Sequence, residues 1–129
     1  AVKGMTAAEA TTKPGGVIIM IAACDDGHGG ESFYETLKKA ESPRALLDYI
    51  ATVPRNETIA DQWEMQILAR ILDQFTVIMV SDMCDPQMFK DMHMQHASTF
   101  EEALQRAFEI KGKDATMTVI SDGVSVVVK

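Results

Sequence analysis

Seven consecutive apolar residues, 17–23, run into a glycine-rich turn, CDDGHGG, that opens onto a helical pattern at Glu31. A stretch apolar at every position reads as a strand buried on both faces, and such strands belong to parallel sheets covered by helices. In open α/β sheets ligands gather at the carboxyl ends of the strands. Asp25, Asp26, Gly27, His28, Gly29 and Gly30 are expected at that edge, so the search for a site starts there.

The rest of the chain alternates in the same way. Thr6-Ala-Ala-Glu9 has the spacing of a capping box, which predicts a short helix from about Ala7 to just before Lys13-Pro14-Gly15-Gly16. The first strand covers 17–24, and a helix with Phe33, Tyr34 and Leu37 on one face covers 31–40. Ser42 followed by Pro43 is an N-cap with proline at the first helical position, opening a helix to about Ala51. Residues 61–73 form the clearest amphipathic helix, with Trp63, Ile67, Ile71 and Phe75 recurring every four residues beside Leu68 and Leu72. A second strand is expected at 76–80, and Asp85-Pro86 starts a short helix. Ser98-Thr-Phe-Glu101 reads as a capping box for a helix ending near Gly112. Residues 115–120 and 124–128 read as two strands joined through Ser121-Asp122-Gly123, a C-terminal hairpin. The expected fold is α/β: a small, mainly parallel sheet with helices on both faces, a Rossmann-like three-layer arrangement, in one domain over 1–129.

Composition narrows the function classes. A net charge of −7 with no Lys/Arg cluster argues against a nucleic-acid surface. The longest apolar run is far below the ~20 residues of a membrane span. No charged-then-apolar leader precedes a cleavage site, which points to the cytoplasm. Cys24 and Cys84 make no disulfide framework. The chain opens at Ala1 within AVKGM, without a methionine or a helix cap, and reads as a piece of a longer protein.

Four constellations bear on chemistry. Glycines at a strand-to-helix turn let backbone N–H groups approach an anion, but the spacing fits neither G-x-G-x-x-G nor a Walker loop, and a tight turn explains them equally well. His28, held between glycines, is sterically free to meet a ligand or a partner domain. Cys24, Cys84, His28, His93 and His96 would gather at one edge if the two apolar strands were neighbours, yet their spacing has no C-x-x-C, and inert cysteines with surface histidines fit better. Asp25, Asp26, Asp82 and Asp85 fall at strand ends, where they serve equally as turn and cap residues. Trp63 in Asp61-Gln62-Trp63-Glu64 offers a flat apolar wall in the first turn of its helix, or simply heads the core stripe. Lys3 has no structural role that the pattern reveals. These features give an edge site and no reaction.

The segments AVKGMTAAEA, KPGGVIIMIAACDDGHGGESFY, DQWEMQILAR, KDMHMQHASTFEEAL and VISDGVSVVV resemble, in order and with similar gaps, the C-terminal domain of the nickel-dependent lactate racemase family. The resemblance implies a two-domain isomerase that inverts a 2-hydroxy acid at its carbinol carbon. It also implies a nickel-pincer nucleotide cofactor that takes a hydride from lactate and returns it to either face. The general-base histidines, the cofactor-tethering lysine and the nickel ligand would lie in an N-terminal catalytic domain, so this chain would contain no catalytic or metal-binding residue. Its share would be one wall of the interdomain cleft, with the N-terminal domain and a small 2-hydroxy acid as partners. On the matching motifs, Lys3 and Trp63 are the substrate-binding residues. His28, Gly29, Gly30 and Gln62 are expected to face the cleft. A different class of function, a non-catalytic α/β module whose GHGG edge binds an anion or nucleotide unaided, requires ligand affinity without a partner domain.

Overall fold

The computed structural model describes residues 1–126. Helix α1 (Val2–Thr11) leads into strand β1 (Val17–Ile21), followed by helices α2 (Glu31–Lys39), α3 (Pro43–Thr52) and α4 (Gln62–Gln74). Strand β2 (Thr76–Val80), helix α5 (Pro86–Asp91), strand β3 (Gln95–Ala97) and helix α6 (Phe100–Lys111) complete the order. The strands pair in sequence order with β2 central, and both pairings are parallel.

Side-chain alternation along the strands divides the core between the two faces. Ile18, Met20, Val77 and Met79 pack toward α1, α2 and α4 with Met5, Leu37, Met65 and Leu68. Val17, Ile19, Ile78 and Val80 pack on the other face with Ala103 and Ala107 of α6. This is the expected three-layer α/β fold. No helix among the described residues is long and apolar enough to cross a membrane.

The structure corrects four local expectations. First, β1 is an edge strand: of its five residues only Ile18 is buried, and Ile21 is 61% exposed. It also stops at Ile21, because the left-handed backbone at Cys24 (φ 55°) turns the chain away. The strand whose burial matches an unbroken apolar run is the central one, β2. Second, α1 begins at Val2, and the Thr6 hydroxyl donates to the Lys3 carbonyl inside the helix rather than capping it. Third, the cap of α6 is shifted by one residue: Thr99 accepts from Glu102 N at 3.2 Å, and Glu102 accepts from Ser98 N at 2.8 Å. The caps at Ser42 and Asp85, each followed by proline, form as expected.

The fourth correction concerns the C-terminal hairpin, which does not form among the described residues. Residues 115–120 carry no strand ladder. The turn is made, but the Asp122 carboxylate takes both following amides, Val124 N at 3.1 Å and Ser125 N at 3.2 Å. Those donors are then lost to the opposite arm, which is how a local Asx turn competes with a ladder. Residues 127–128 of the expected second arm lie outside the described residues. Strand β3 went unforeseen because three residues, Gln95-His96-Ala97, are too few to show a period.

Because Ile78 is fully buried between β2 and α6, Ile78→Ala is expected to destabilise the chain by about 2–5 kcal/mol. Urea denaturation followed by circular dichroism checks this; a change below about 1 kcal/mol would mean that the α6 layer contributes little.

Candidate functional site

Parallel pairing of β1 with β2 brings the turns that follow them to the same sheet edge. Ser81, directly after β2, is the buried polar residue that ties them together. Its hydroxyl donates to Ala23 O at 2.8 Å and accepts from Met83 N at 3.3 Å. A cavity of about 460 Å³ opens at this edge. The glycine-rich turn and the N-terminal turns of α1 and α4 form its walls, and Phe89 and Met92 close it from the α5 side.

Each wall follows from local chemistry. Gly27 and Gly29 adopt φ of +63° and +81°, a region costly for residues with a Cβ, so the turn folds tightly before α2. Neither α2 nor α4 has a side-chain cap hydrogen bond. Asp61, the N-cap of α4, is itself left-handed at φ 61°, which aspartate tolerates better than most residues. Its carboxylate lies toward Gly30, 3.5 Å from where a Cβ would stand. Glu9 and Arg70 form a two-pronged ion pair at 2.8 and 2.7 Å that ties the far end of α1 to α4. Asp25, Asp26, Asp61 and Glu64 make the cavity rim acidic.

His28, Gly29 and Gly30 line this cavity. The His28 ring stacks on Tyr34 with centroids 4.7 Å apart, and its Nε2 lies 3.6 Å from Glu31. Its Nδ1 is buried without a hydrogen-bond partner among the described residues. Tyr34 is held in turn: its hydroxyl donates to Asp91, which also accepts from Gln87 at 2.7 Å and pairs with Lys38 at 3.0 Å. Tyr34, then Gln87 and Lys38, hold the Asp91 carboxyl down at about 2.

The other expected site residues, Lys3, Gln62 and Trp63, are not among those that line the cavity. Lys3 is exposed on the first turn of α1, between cavity-lining Val2 and Met5. Trp63 is 53% exposed on the first turn of α4, between Asp61 and Glu64, which line the cavity. The amphipathic stripe thus leaves Trp63 out of the core and starts at Met65 and Leu68. Gln62 braces its own loop, accepting from Ile59 N at 3.3 Å.

The cysteines and remaining histidines have structural partners instead. The Cys84 thiol donates to Cys24 O at 2.8 Å, and burial pushes the Cys24 thiol up, away from the reactive thiolate. His93 Nε2 donates to Leu37 O at 3.0 Å, and His96 Nε2 donates to Ser81 O at 2.8 Å. Among the described residues no three His, Cys, Asp or Glu converge on a point that could hold a metal ion. Sequence reasoning missed Asp61, Glu64, Met88 and Met92 as wall residues, although the four-residue spacing of the two methionines marks one helical face.

The family model described as the lactate racemase C-terminal domain matches residues 1–128. The chain belongs to this family. The lactate racemase of Lactiplantibacillus plantarum is 53% identical over 129 residues, which is all of this chain and 30% of that protein. The lactate racemase of Thermoanaerobacterium thermosaccharolyticum is 51% identical over 128 residues, 99% of this chain and 30% of that protein. The solved structure of the lactate racemase apoprotein from the same organism superposes with a TM-score of 0.97 at 50% identity, over all of this chain and 31% of that one. The chain therefore spans about 30% of the length of the curated relatives it matches.

A carboxylate held below its ordinary value stabilises the fold above that value, and the contribution fades as pH falls toward the depressed one. Asp91 is such a group, with its folded value near 2. Between about pH 4 and pH 2, Asp91→Asn is expected to flatten the fall of the urea midpoint while lowering the midpoint at neutral pH. Parallel midpoint curves for the two proteins would refute the Tyr34–Asp91 linkage.

Proposed function

We propose that this chain is the C-terminal domain of a racemase or epimerase of 2-hydroxy acids, lactate first among them. In this reading the preceding domain of the same polypeptide closes the other side of the cleft. The observation that carries the reading is the cavity at the carboxyl edge of β1 and β2, walled in part by the first turns of α1 and α4, the two turns on which Lys3 and Trp63 stand exposed. Membership of the lactate racemase C-terminal domain family supports the reaction class.

The donor set of this chain does not suit a metal: the Cys84 thiol and two of its histidines are bonded to backbone carbonyls, and among the described residues no three His, Cys, Asp or Glu converge on one point. In this reading the nickel-pincer nucleotide, which when bound supplies the hydride acceptor, is held by the preceding domain.

What these residues do is bind and exclude water. The Lys3 ammonium is exposed and has no carboxylate partner among the described residues. It is free to hold a substrate carboxylate, and the acidic rim makes that single cation matter more, because a 2-hydroxy acid otherwise meets like charge. The Trp63 indole covers the reacting carbon with an apolar face, which keeps water away from a hydride transfer. His28 lines the cleft on a platform fixed by Tyr34 and Asp91. Gly29 and Gly30 keep that wall thin, and Gln62 shapes the loop beside Trp63.

The full-length parent, produced with nickel and the machinery that makes the cofactor, is expected to convert D-lactate to L-lactate, as read by chiral chromatography. Lys3→Ala should lower kcat/KM by about 10–100-fold, mostly through KM, the value of one charge-assisted hydrogen bond. Trp63→Ala should lower kcat. His28→Phe should change turnover or cofactor retention, and if it leaves both untouched the cleft-facing role of His28 is lost. A nickel-loaded parent that leaves lactate unchanged moves the substrate to another 2-hydroxy acid. A parent that never acquires nickel or cofactor sinks the enzyme reading.

A further inference from the structure

His28 stands in the cavity wall without a hydrogen bond to hold its ring. Among the described residues its Nδ1 is buried and unpartnered, and its Nε2 lies 3.6 Å from Glu31, beyond hydrogen-bond length. The turn that carries it is bonded within itself, Gly27 N to Cys24 O at 2.8 Å and Gly29 N to Asp26 O at 3.4 Å. A Cβ at Gly27 or Gly29 would meet nothing within 4 Å, so the residues flanking the histidine stand clear of other elements. Nothing in the turn itself therefore selects an orientation for the imidazole.

Tyr34 supplies that selection. The two rings lie 4.7 Å apart and within 11° of parallel, a separation at which stacked rings attract. His28 lines the cavity and Tyr34 does not, so the imidazole is the cavity-side member of the pair. A phenylalanine could stack as well; the hydroxyl does something further. It donates to Asp91 of α5 and receives Lys38 Nζ at 3.4 Å. Asp91 also accepts from Gln87 at 2.7 Å and pairs with Lys38 at 3.0 Å, and Lys38 Nζ lies 5.2 Å from the Tyr34 ring centroid. His93, just past α5, ties the same two helices again by donating to Leu37 O at 3.0 Å. The phenol ring thus takes its place from α5 and hands it to His28.

We infer that Tyr34 is a positioning residue of the cleft, which acts on the reaction through His28 while lying outside the cavity itself. The inference rests on the racemase reading proposed above. A wall group displaced by about 1 Å can cost about 100-fold in rate. Tyr34 anchored on Asp91 prevents that displacement, because the imidazole has the stack in place of hydrogen bonds. A role in general stability predicts something different: its loss would act alike whether or not His28 is present.

A double-mutant cycle in the full-length, cofactor-loaded parent tests this, with D-lactate, D-2-hydroxybutyrate and D-malate as substrates. Tyr34→Leu is expected to lower kcat by about 10-fold. Tyr34→Phe, which keeps the ring and loses the anchor, should lower it by about threefold and covers the case in which the leucine variant does not fold. In a His28→Ala background either change should alter kcat by less than about twofold. The same loss in both backgrounds overturns the inference, as does a Tyr34→Leu parent with wild-type kcat. A second readout needs no turnover: in histidine-labelled parent, the His28 ring protons should resonate upfield through the Tyr34 ring current. Tyr34→Phe should keep that shift and Tyr34→Leu should abolish it; a shift that survives Tyr34→Leu overturns the inference. An active parent without coupling sinks the inference alone, whereas a parent inert toward all three acids sinks the racemase reading and the inference with it.

Discussion

The parallel pairing of β1 with β2 is the contact on which the rest depends. Its register, Val17 opposite Thr76 through Ile21 opposite Val80, aligns the strand ends so that two distant turns leave the sheet side by side. Ser81 then joins those turns through Ala23 O, and the Cys84 thiol joins them again through Cys24 O. Without that alignment the glycine-rich turn would be an ordinary loop. With it, the turn becomes one wall of a cavity whose other walls are helix N-termini.

Helix direction does the remaining work. Residues leave the parallel strands at one edge, so α2 and α5 start there; the Glu9–Arg70 ion pair sets α1 alongside α4 and brings their first turns to the same place. Positive helix ends and acidic side chains therefore share the rim. The Tyr34–Asp91 bond extends this order outward by linking α2 to α5 beneath His28. Two of the three histidines donate to main-chain carbonyls and so report on packing; His28 instead holds a buried ring nitrogen, Nδ1, without a partner among the described residues.

Much of this was legible in the residues. Apolar runs marked β1 and β2, with the bounds of β2 correct to the residue, and the Ser42-Pro43 and Asp85-Pro86 pairs marked two helix starts. These signals are local: they depend on hydrogen bonds within four residues or on a period visible in one segment. The errors arose where a distant neighbour intervened. An edge strand and a central strand can carry the same apolar composition, so β1 looked more buried than it is. The three residues of β3 become a strand only because β2 offers an edge. The C-terminal turn opens because Gly4 receives Gly123 and Asp122 takes the amides that a hairpin would need.

The sequence by itself determined the α/β class, the order of most elements and the glycine-rich turn at a strand end, since backbone preference and hydrophobic period are properties of neighbouring residues. Its motifs also singled out Lys3 and Trp63. Only the tertiary structure decided that their helix turns share one cavity rim, and that Trp63 faces solvent instead of heading the core stripe. It also decided that the side chains of Cys84, His93 and His96 are occupied by carbonyls. Those outcomes depend on which groups lie within about 3 Å of each other across sixty residues of chain, and hydrogen bonding at that range is fixed by strand register and helix packing.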